Sequence, residues 1–233
     1  MNQYMLDKWN KKVKGGDQVI VLGDFGIWDN SKAEGYWLDW LNDKNFTTLF
    51  IAGNHDNYDI LDNLPKEEWN GGLVNYIRPS VLHLNRGQVF TIDGRTFFTF
   101  GGASSHDIQD GILEPDDPNF KEKYRQWNRE YKMFRVNHIS WWERELPSRE
   151  EMYEGIHNLL AHDKKVDYIL SHSASSSEQI LLGGKGLYDE DNLTQYLEQV
   201  KAETDYGQHL FGHMHVNRAI NEKDRCLYED IIL

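Results

Sequence analysis

Residues 47–56 run Thr-Thr-Leu-Phe-Ile-Ala-Gly-Asn-His-Asp, a short apolar stretch that ends in a glycine and three polar residues. An uninterrupted apolar run of this length predicts a strand that is covered on both faces, as in an α/β protein. Three other apolar runs end in the same way, at Gly23-Asp24, at Ser171-His172 and at Gly212-His213-Met214-His215. Ligand sites of open α/β sheets gather at the carboxyl ends of the strands, so these four segments are candidates for one shared site.

Helical patterns alternate with these strands and favour a single α/β domain over residues 1–233. Helices are predicted at 2–14 and 190–203, and after the capping boxes Ser31-x-x-Glu34 and Ser148-x-x-Glu151. Short antiparallel strands are predicted at 81–84, 88–92 and 95–100, and Asp93-Gly94 predicts a hairpin between the last two. Strands at 166–171 and 208–212 follow, and 225–233 is expected to close a second sheet. Residues 105–147, with some helix at 120–134, are expected to form an insertion or lid.

Length and charge limit the possible partners. The chain has 233 residues and a formal net charge of −13, which repels a phosphate backbone, so extended nucleic acid is not expected as a partner. The single cysteine, Cys226, excludes a disulfide and a cysteine-based zinc site and indicates a reducing compartment. No apolar run reaches the length of a membrane span. We therefore expect a cytoplasmic protein that does not bind membranes, and the sequence gives no oligomeric state.

The four segments share the chemistry of metal ligands. Each holds a carboxylate, an amide oxygen or an imidazole, which bind hard or borderline divalent metals. A single Gly-Asp after a strand is usually a turn, and a His-x-His pair alone is only suggestive. Four such segments, each at the end of a predicted strand, are unlikely to occur together by chance and indicate a metal site. The glycines permit tight turns that aim the next side chain into a common pocket.

In this order, Gly23-Asp24, Gly53-Asn-His-Asp56, His172 and Gly212-His-Met-His215 resemble four motifs of the calcineurin-like metallophosphoesterases. The resemblance extends over residues 17–233. Gly101-Gly102-Ala103-Ser104 and Ser140-Trp141-Trp142 resemble a bacterial and phage subgroup of that family. The resemblance implies a four-layer α/β/β/α sandwich with a two-metal site. It also implies hydrolysis of a small phosphomonoester or phosphodiester by attack of a metal-bound hydroxide, with Mn²⁺, Fe or Zn²⁺ as the metal.

Carried over by position, the resemblance implies a role for each residue. Asp24 would bridge both metals, His215 would bind the first, and the second would be bound by Asn54, His172 and His213. His55 and Asn54 would contact the substrate. His55 would protonate the leaving oxygen, and Asp56 would orient its ring. A protonated His55 is expected, because a neighbouring carboxylate favours the charged imidazole.

One family motif, Asp-x-His on a first strand, has no counterpart, since no histidine here has an aspartate two positions before it. The first metal would then keep only Asp24 and His215, and the sheet would lack its first strand. Three interpretations stay open: the natural protein starts further upstream, which we favour; the chain is a shortened, weakly active or inactive relative; or a partner fills the gap. The alternative function is accordingly a binding or interaction module with at most one structural metal.

Several other polar residues have simpler explanations. His106-Asp107 follows a predicted strand and is most simply a loop; a position facing the pocket is the alternative. Arg125, Arg129 and Arg135 lie in the predicted insertion, where a solvated helical face is the simpler interpretation and a contact with substrate phosphate the alternative.

Overall fold

The computed structural model describes residues 3–183 and 190–232; Asn2, where the first helix was predicted to start, and Leu233 lie outside them. The helices are α1 Gln3–Lys12, α2 Lys32–Asn42, α3 Tyr58–Asp62, α4 Phe120–Arg129, α5 Arg149–Ala161, α6 Ser176–Gly183 and α7 Asn192–Glu203, with a 3-10 turn at Glu143–Glu145. The strands are β1 Gln18–Leu22, β2 Thr47–Ile51, β3 Glu67–Trp69, β4 Gly72–Arg78, β5 Val81–Leu84, β6 Gln88–Ile92, β7 Arg95–Phe100, β8 Gly111–Leu113, β9 Phe134–Val136, β10 Lys165–Ser171, β11 Asp205–Phe211, β12 Arg218–Ala219 and β13 Asp224–Cys226.

The strands form two main sheets and a small ribbon. The first sheet has the order β1-β2-β5-β4-β3, and the second has the order β12-β13-β11-β10-β7-β6. The pairs β1–β2 and β10–β11 are parallel, so the segments that follow these four strands leave each sheet at its carboxyl edge. β8 and β9 pair only with each other, within the region predicted to be an insertion.

Three hydrophobic cores define four layers. The central core lies between the sheets, with Leu49 and Ile51 of β2 on one side and Phe90 and Ile92 of β6 on the other. On the opposite face of β2, Phe50 packs with α1 and α2. The third core joins the second sheet to α5 and α7. The residues of β2 are almost all buried, because both faces of this strand are covered. The predicted α/β/β/α sandwich is confirmed.

The helix starts agree with the capping signals in the sequence. Ser148 and Glu151 form a reciprocal capping box at the start of α5. At α2 only half of the predicted box forms: the Ser31 side chain accepts from the N–H of Glu34, at 3.3 Å. The Glu34 carboxylate instead accepts from the backbone N–H groups of residues 28–30. Glu34 thereby holds the loop that follows Asp24.

Three predictions about elements are corrected by the structure. The hairpin at Asp93-Gly94 is present, with both residues at positive φ, but β5 pairs with β2 and β4 in the other sheet rather than with β6. The predicted helix at 120–134 ends at Arg129, and Phe134 starts a strand. The expected strand at 225–233 is limited to β13, and Ile231 packs instead against the helical face of the first sheet. Periodicity gives the element type but not the partner across the sheet.

Within residues 3–183 and 190–232, no helix has the length and apolar character that a membrane crossing requires. β1 lies at the edge of the first sheet, and all five of its residues are half-buried, in contrast to β2. The absence of a further strand beside β1 stays a prediction.

Candidate metal centre

Four polar segments meet where the two sheets present their carboxyl edges. Asp24 follows β1, Asn54 follows β2, His172 follows β10 and His213 follows β11. His172 contacts both Asp24 and Asn54, and its ring lies edge-on to that of His213 at 5.1 Å between centroids. Each sheet therefore contributes two of the predicted ligands: Asp24, Asn54 and His172 lie at ligand spacing, and His213 contacts His172 through its ring.

His172 lies at the centre of this group. Its Nε2 is 3.4 Å from Oδ1 of Asp24 and 3.3 Å from Oδ1 of Asn54. Its Nδ1 lies 2.6 Å from the carbonyl oxygen of Leu22. A carbonyl can only accept, so Nδ1 carries the hydrogen and Nε2 faces the two oxygens. Donor atoms bound at about 2.0–2.2 Å to one tetrahedral cation lie about 3.3–3.6 Å apart, so these three groups fit a divalent metal.

A proton on Nε2 of His172 competes with a cation for this position. Burial lowers the pKa of His172, but the hydrogen bond to Asp24 and the charge of Asp24 outweigh it, and the net pKa is raised. Burial raises the pKa of Asp24, but the bond from His172 outweighs it and holds that pKa well below its usual range. Cation binding must therefore displace a proton from His172.

The amide of Asn54 is oriented by a buried chain of hydrogen bonds. Its Nδ2 donates to Oγ of Ser105 at 3.1 Å. Ser105 in turn donates through its hydroxyl and its backbone N–H to the two carboxylate oxygens of Glu145, both at 2.7 Å. Since Nδ2 is bound to Ser105, Oδ1 faces His172, as a ligand oxygen must. Sequence reasoning did not find Ser105 and Glu145, because only the fold brings the two residues together.

The glycines before the ligands are required by close packing. A Cβ on Gly53 would lie 2.1 Å from Oδ1 of Asp24, and one on Gly23 would lie 2.0 Å from Nδ1 of His172. Gly23 also has a φ of 91°. No other residue fits at these two positions without moving a ligand.

Three of the predicted ligands have a left-handed backbone conformation. The φ angles are 49° at Asp24, 64° at His213 and 49° at His215. For residues with a Cβ this conformation costs about 1–3 kcal/mol each, and such strain concentrates at functional sites. The turns after β1 and β11 are therefore held in strained conformations by the surrounding packing.

Asp56 does not orient the ring of His55, and that prediction is wrong. Its carboxylate is fully buried and accepts four hydrogen bonds of 2.8–3.2 Å, from the backbone N–H groups of residues 25–27 and of Gly53. Burial raises the pKa of Asp56 to about 6, although these N–H groups oppose the shift. Through these hydrogen bonds Asp56 links the turn after β1 to the turn after β2.

His55 is held by an arginine instead. Nη1 of Arg135 lies 3.1 Å from Nδ1 of His55, and the ring of Trp28 faces the imidazole at 6.4 Å between centroids. Nη2 of Arg135 also lies 3.5 Å from Nε2, so the guanidinium faces both ring nitrogens. Burial lowers the pKa of His55, Asp24 opposes this, and Arg135 adds to it, so the net pKa is lowered. This direction disfavours the protonated imidazole that the sequence predicted.

Arg135 belongs to β9 and not to a solvated helix, so the simpler interpretation of this residue is wrong. Its side chain is only 13% exposed and forms two hydrogen bonds from Nε and one from Nη2 to the Asp107 carboxylate, at 2.6–2.9 Å. Nη1 also donates to the carbonyl of Ser140 at 3.1 Å. The region 105–147 thus places a fixed positive charge beside His55.

His213 and His215 occupy different surroundings. Nε2 of His213 lies 2.8 Å from Nε2 of His106. His215 is exposed and its ring stacks on Tyr228 at 4.9 Å between centroids. In the described part of the chain no hydrogen bond or ring contact joins His215 to Asp24. The ring contact of His215 is thus with Tyr228 and not with another predicted ligand, and its role at the first metal stays a prediction.

A second group of potential ligands lies elsewhere in the second sheet. Glu178, His209 and Asp224 are buried and offer three ligand atoms within 4.8 Å of one another. Nζ of Lys201 lies 2.5 Å from Glu178 and 3.1 Å from Asp224. The ammonium group therefore already supplies the cation for these carboxylates. His209 also contacts Oγ of Ser171 at 2.7 Å, but both residues are fully buried, so no substrate reaches the hydroxyl.

Comparison with known proteins places this geometry in context. Residues 2–217 match the family described as calcineurin-like phosphoesterase. No curated protein and no solved structure matches the chain.

Proposed function

The chain belongs to the calcineurin-like phosphoesterase family, and from this premise we propose that it is a metal-dependent hydrolase of a small phosphomonoester or phosphodiester. The main support for the proposal is that Nε2 of His172 lies 3.4 Å from Oδ1 of Asp24 and 3.3 Å from Oδ1 of Asn54, which is the spacing of atoms that bind one metal. We propose Mn²⁺, Fe or Zn²⁺ as the metal, because mixed nitrogen and oxygen ligands accept all three.

The residues around this position have distinct tasks. A divalent metal, when bound, would supply activation of water and stabilise charge on phosphoryl oxygens. Asp24, Asn54, His172 and His213 would hold the metal. His55, held by Arg135, would contact a phosphoryl oxygen.

Local charge supports a phosphate substrate in an acidic chain. A bound divalent metal would supply positive charge where the chain as a whole carries −13, and Arg135, ion-paired with Asp107, adds N–H donors beside His55. We do not propose extended nucleic acid as a substrate, because the negative net charge of the chain repels it. A reducing, cytoplasmic setting fits the buried thiol of Cys226.

The stacking of His215 on Tyr228 bears on one alternative. A chain with a single complete ligand set would bind one cation and serve as a binding module rather than as a hydrolase.

Hydrolysis of p-nitrophenyl phosphate and bis(p-nitrophenyl) phosphate tests the proposal, with Mn²⁺ and with a chelator. We expect turnover only with metal. His172→Ala should reduce it by about 100-fold or more, since even outer-shell losses reach about 100-fold. His157→Ala, at an exposed position on α5, is the control. Equal turnover in the chelator would contradict the proposal. One bound Mn²⁺ per chain without turnover of either substrate would favour the binding module.

A further inference from the structure

Three consecutive residues after β7 each contact a different part of the metal centre. Ser105 holds the amide of Asn54, and Asp107 holds Arg135 against His55. His106, between them, contacts His213. All three residues therefore connect the loop after β7 to the candidate centre, and His106 does so through a second imidazole.

The two rings converge instead of meeting head-on. Their Nε2 atoms are 2.8 Å apart, while the ring centroids are only 4.7 Å apart at an interplanar angle of 36°. Rings joined by a collinear N–H···N bond would have centroids farther apart than this. The contact is a bent hydrogen bond between the two Nε2 atoms, and its geometry also suits two nitrogens that face one cation.

A cation bound by both nitrogens needs the two rings to separate slightly, and a side-chain movement that brings His172 or Asp24 within reach, since among the described residues these groups do not all lie within 4.8 Å of one another. Two nitrogens bound to one cation at about 2.0–2.2 Å lie about 3.0–3.6 Å apart, depending on the coordination geometry. His106 is exposed, so its ring can move outward by the necessary few tenths of an ångström. His213 is already joined to the centre through its contact with His172.

We propose that His106 is a ligand of the divalent cation that His213 binds, which adds to His172 and His213 a third imidazole, from outside the four strand-end segments. This inference rests on the proposed metal-dependent function. Imidazole ligands suit Zn²⁺, Fe and Mn²⁺, and an added neutral donor strengthens binding without cancelling the charge of the metal.

A cysteine scan with cobalt tests ligation directly. Co²⁺ is titrated into the full-length wild type, His106→Cys and the control His157→Cys, and the near-ultraviolet thiolate-to-cobalt band is recorded. A thiolate produces this band only when it is bound to the metal. Wild type provides the baseline for Cys226. In parallel, calorimetry compares the Mn²⁺ affinity of wild type and His106→Ala, with circular dichroism to confirm folding.

We expect the band in His106→Cys alone, and an affinity for Mn²⁺ at least about tenfold weaker in His106→Ala. Identical spectra for the two cysteine variants would overturn the inference. If His106→Ala binds Mn²⁺ more weakly but His106→Cys shows no thiolate-to-cobalt band, His106 positions the ligands without binding the metal. That result would also overturn the inference. If wild type binds no Co²⁺ or Mn²⁺, the proposed function itself fails; binding by wild type without the band rejects only the role of His106.

Discussion

At the scale of single residues, the candidate centre depends on what orients each histidine. The carbonyl of Leu22 fixes Nδ1–H on His172, and Arg135 holds the ring of His55. The first arrangement leaves Nε2 of His172 for a metal. Neither partner is next to its histidine in the sequence, so neither orientation follows from the motifs.

The protonation of His172 predicts a pH-dependent metal affinity. Asp24 raises the pKa of His172 above its ordinary value of 6.5, so the proton stays on Nε2 to a higher pH. Metal binding releases it, and the affinity should rise about tenfold per pH unit until pH exceeds the raised pKa. Calorimetry of Mn²⁺ binding in two buffers of different ionisation enthalpy counts the released protons. An affinity that is constant between about pH 6 and 8 would contradict the assignment.

At the scale of elements, a buried charge cluster joins β11 and α6 to α7 behind the metal centre. Lys201 of α7 reaches Glu178 of α6 and Asp224 of β13, and His209 of β11 contacts the same glutamate. Four ionisable groups lie together in the interior, and the cost of removing each charge from water is offset by its interactions with the others. The cluster lies next to Ser171 and thereby supports the residue that precedes His172.

Lys201→Met should therefore destabilise the fold strongly. It leaves the carboxylates of Glu178 and Asp224 buried without a cation, a loss that costs about 3–5 kcal/mol. Urea denaturation measures the difference. Lys165→Met is the matched control, since the ion pair of Lys165 with Asp205 is exposed and worth about 0–1 kcal/mol. Equal losses in the two variants would show that the cluster does not contribute as described.

At the scale of the whole molecule, the metal centre spans both sheets. Asp24 and Asn54 come from the first sheet, and His172 and His213 come from the second. A cation held by all four joins the two halves of the sandwich. Because this site exists only when both sheets are assembled, binding should stabilise the folded chain against global unfolding.

The thermal stability of the chain should accordingly increase with metal concentration. At a free Mn²⁺ concentration of 100 times Kd the gain is about 2.7 kcal/mol, and it should vanish in His172→Ala and persist in His157→Ala. Thermal denaturation at several Mn²⁺ concentrations measures it. A Tm of His172→Ala that rises with Mn²⁺ as that of wild type does would place the cation elsewhere.

The sequence by itself determined the strands that end in polar segments, and the glycines that let those segments approach each other. Both are local properties. An apolar run predicts a strand that is buried on two faces, and glycine is the residue that permits a close approach to its backbone. The family resemblance and the four converging ligand residues followed from these patterns. The location of β5 in the first sheet did not, because strand pairing joins distant parts of the chain.

Only the tertiary structure decided what surrounds those ligands. Ser105 and Glu145 behind Asn54, Arg135 beside His55, and His106 beside His213 are contacts between residues 40 to 107 positions apart. The tertiary structure also assigned Asp56 to the backbone of two turns instead of to a ring. Side-chain partners of this kind depend on how separate elements pack, and no local pattern in the sequence encodes that packing.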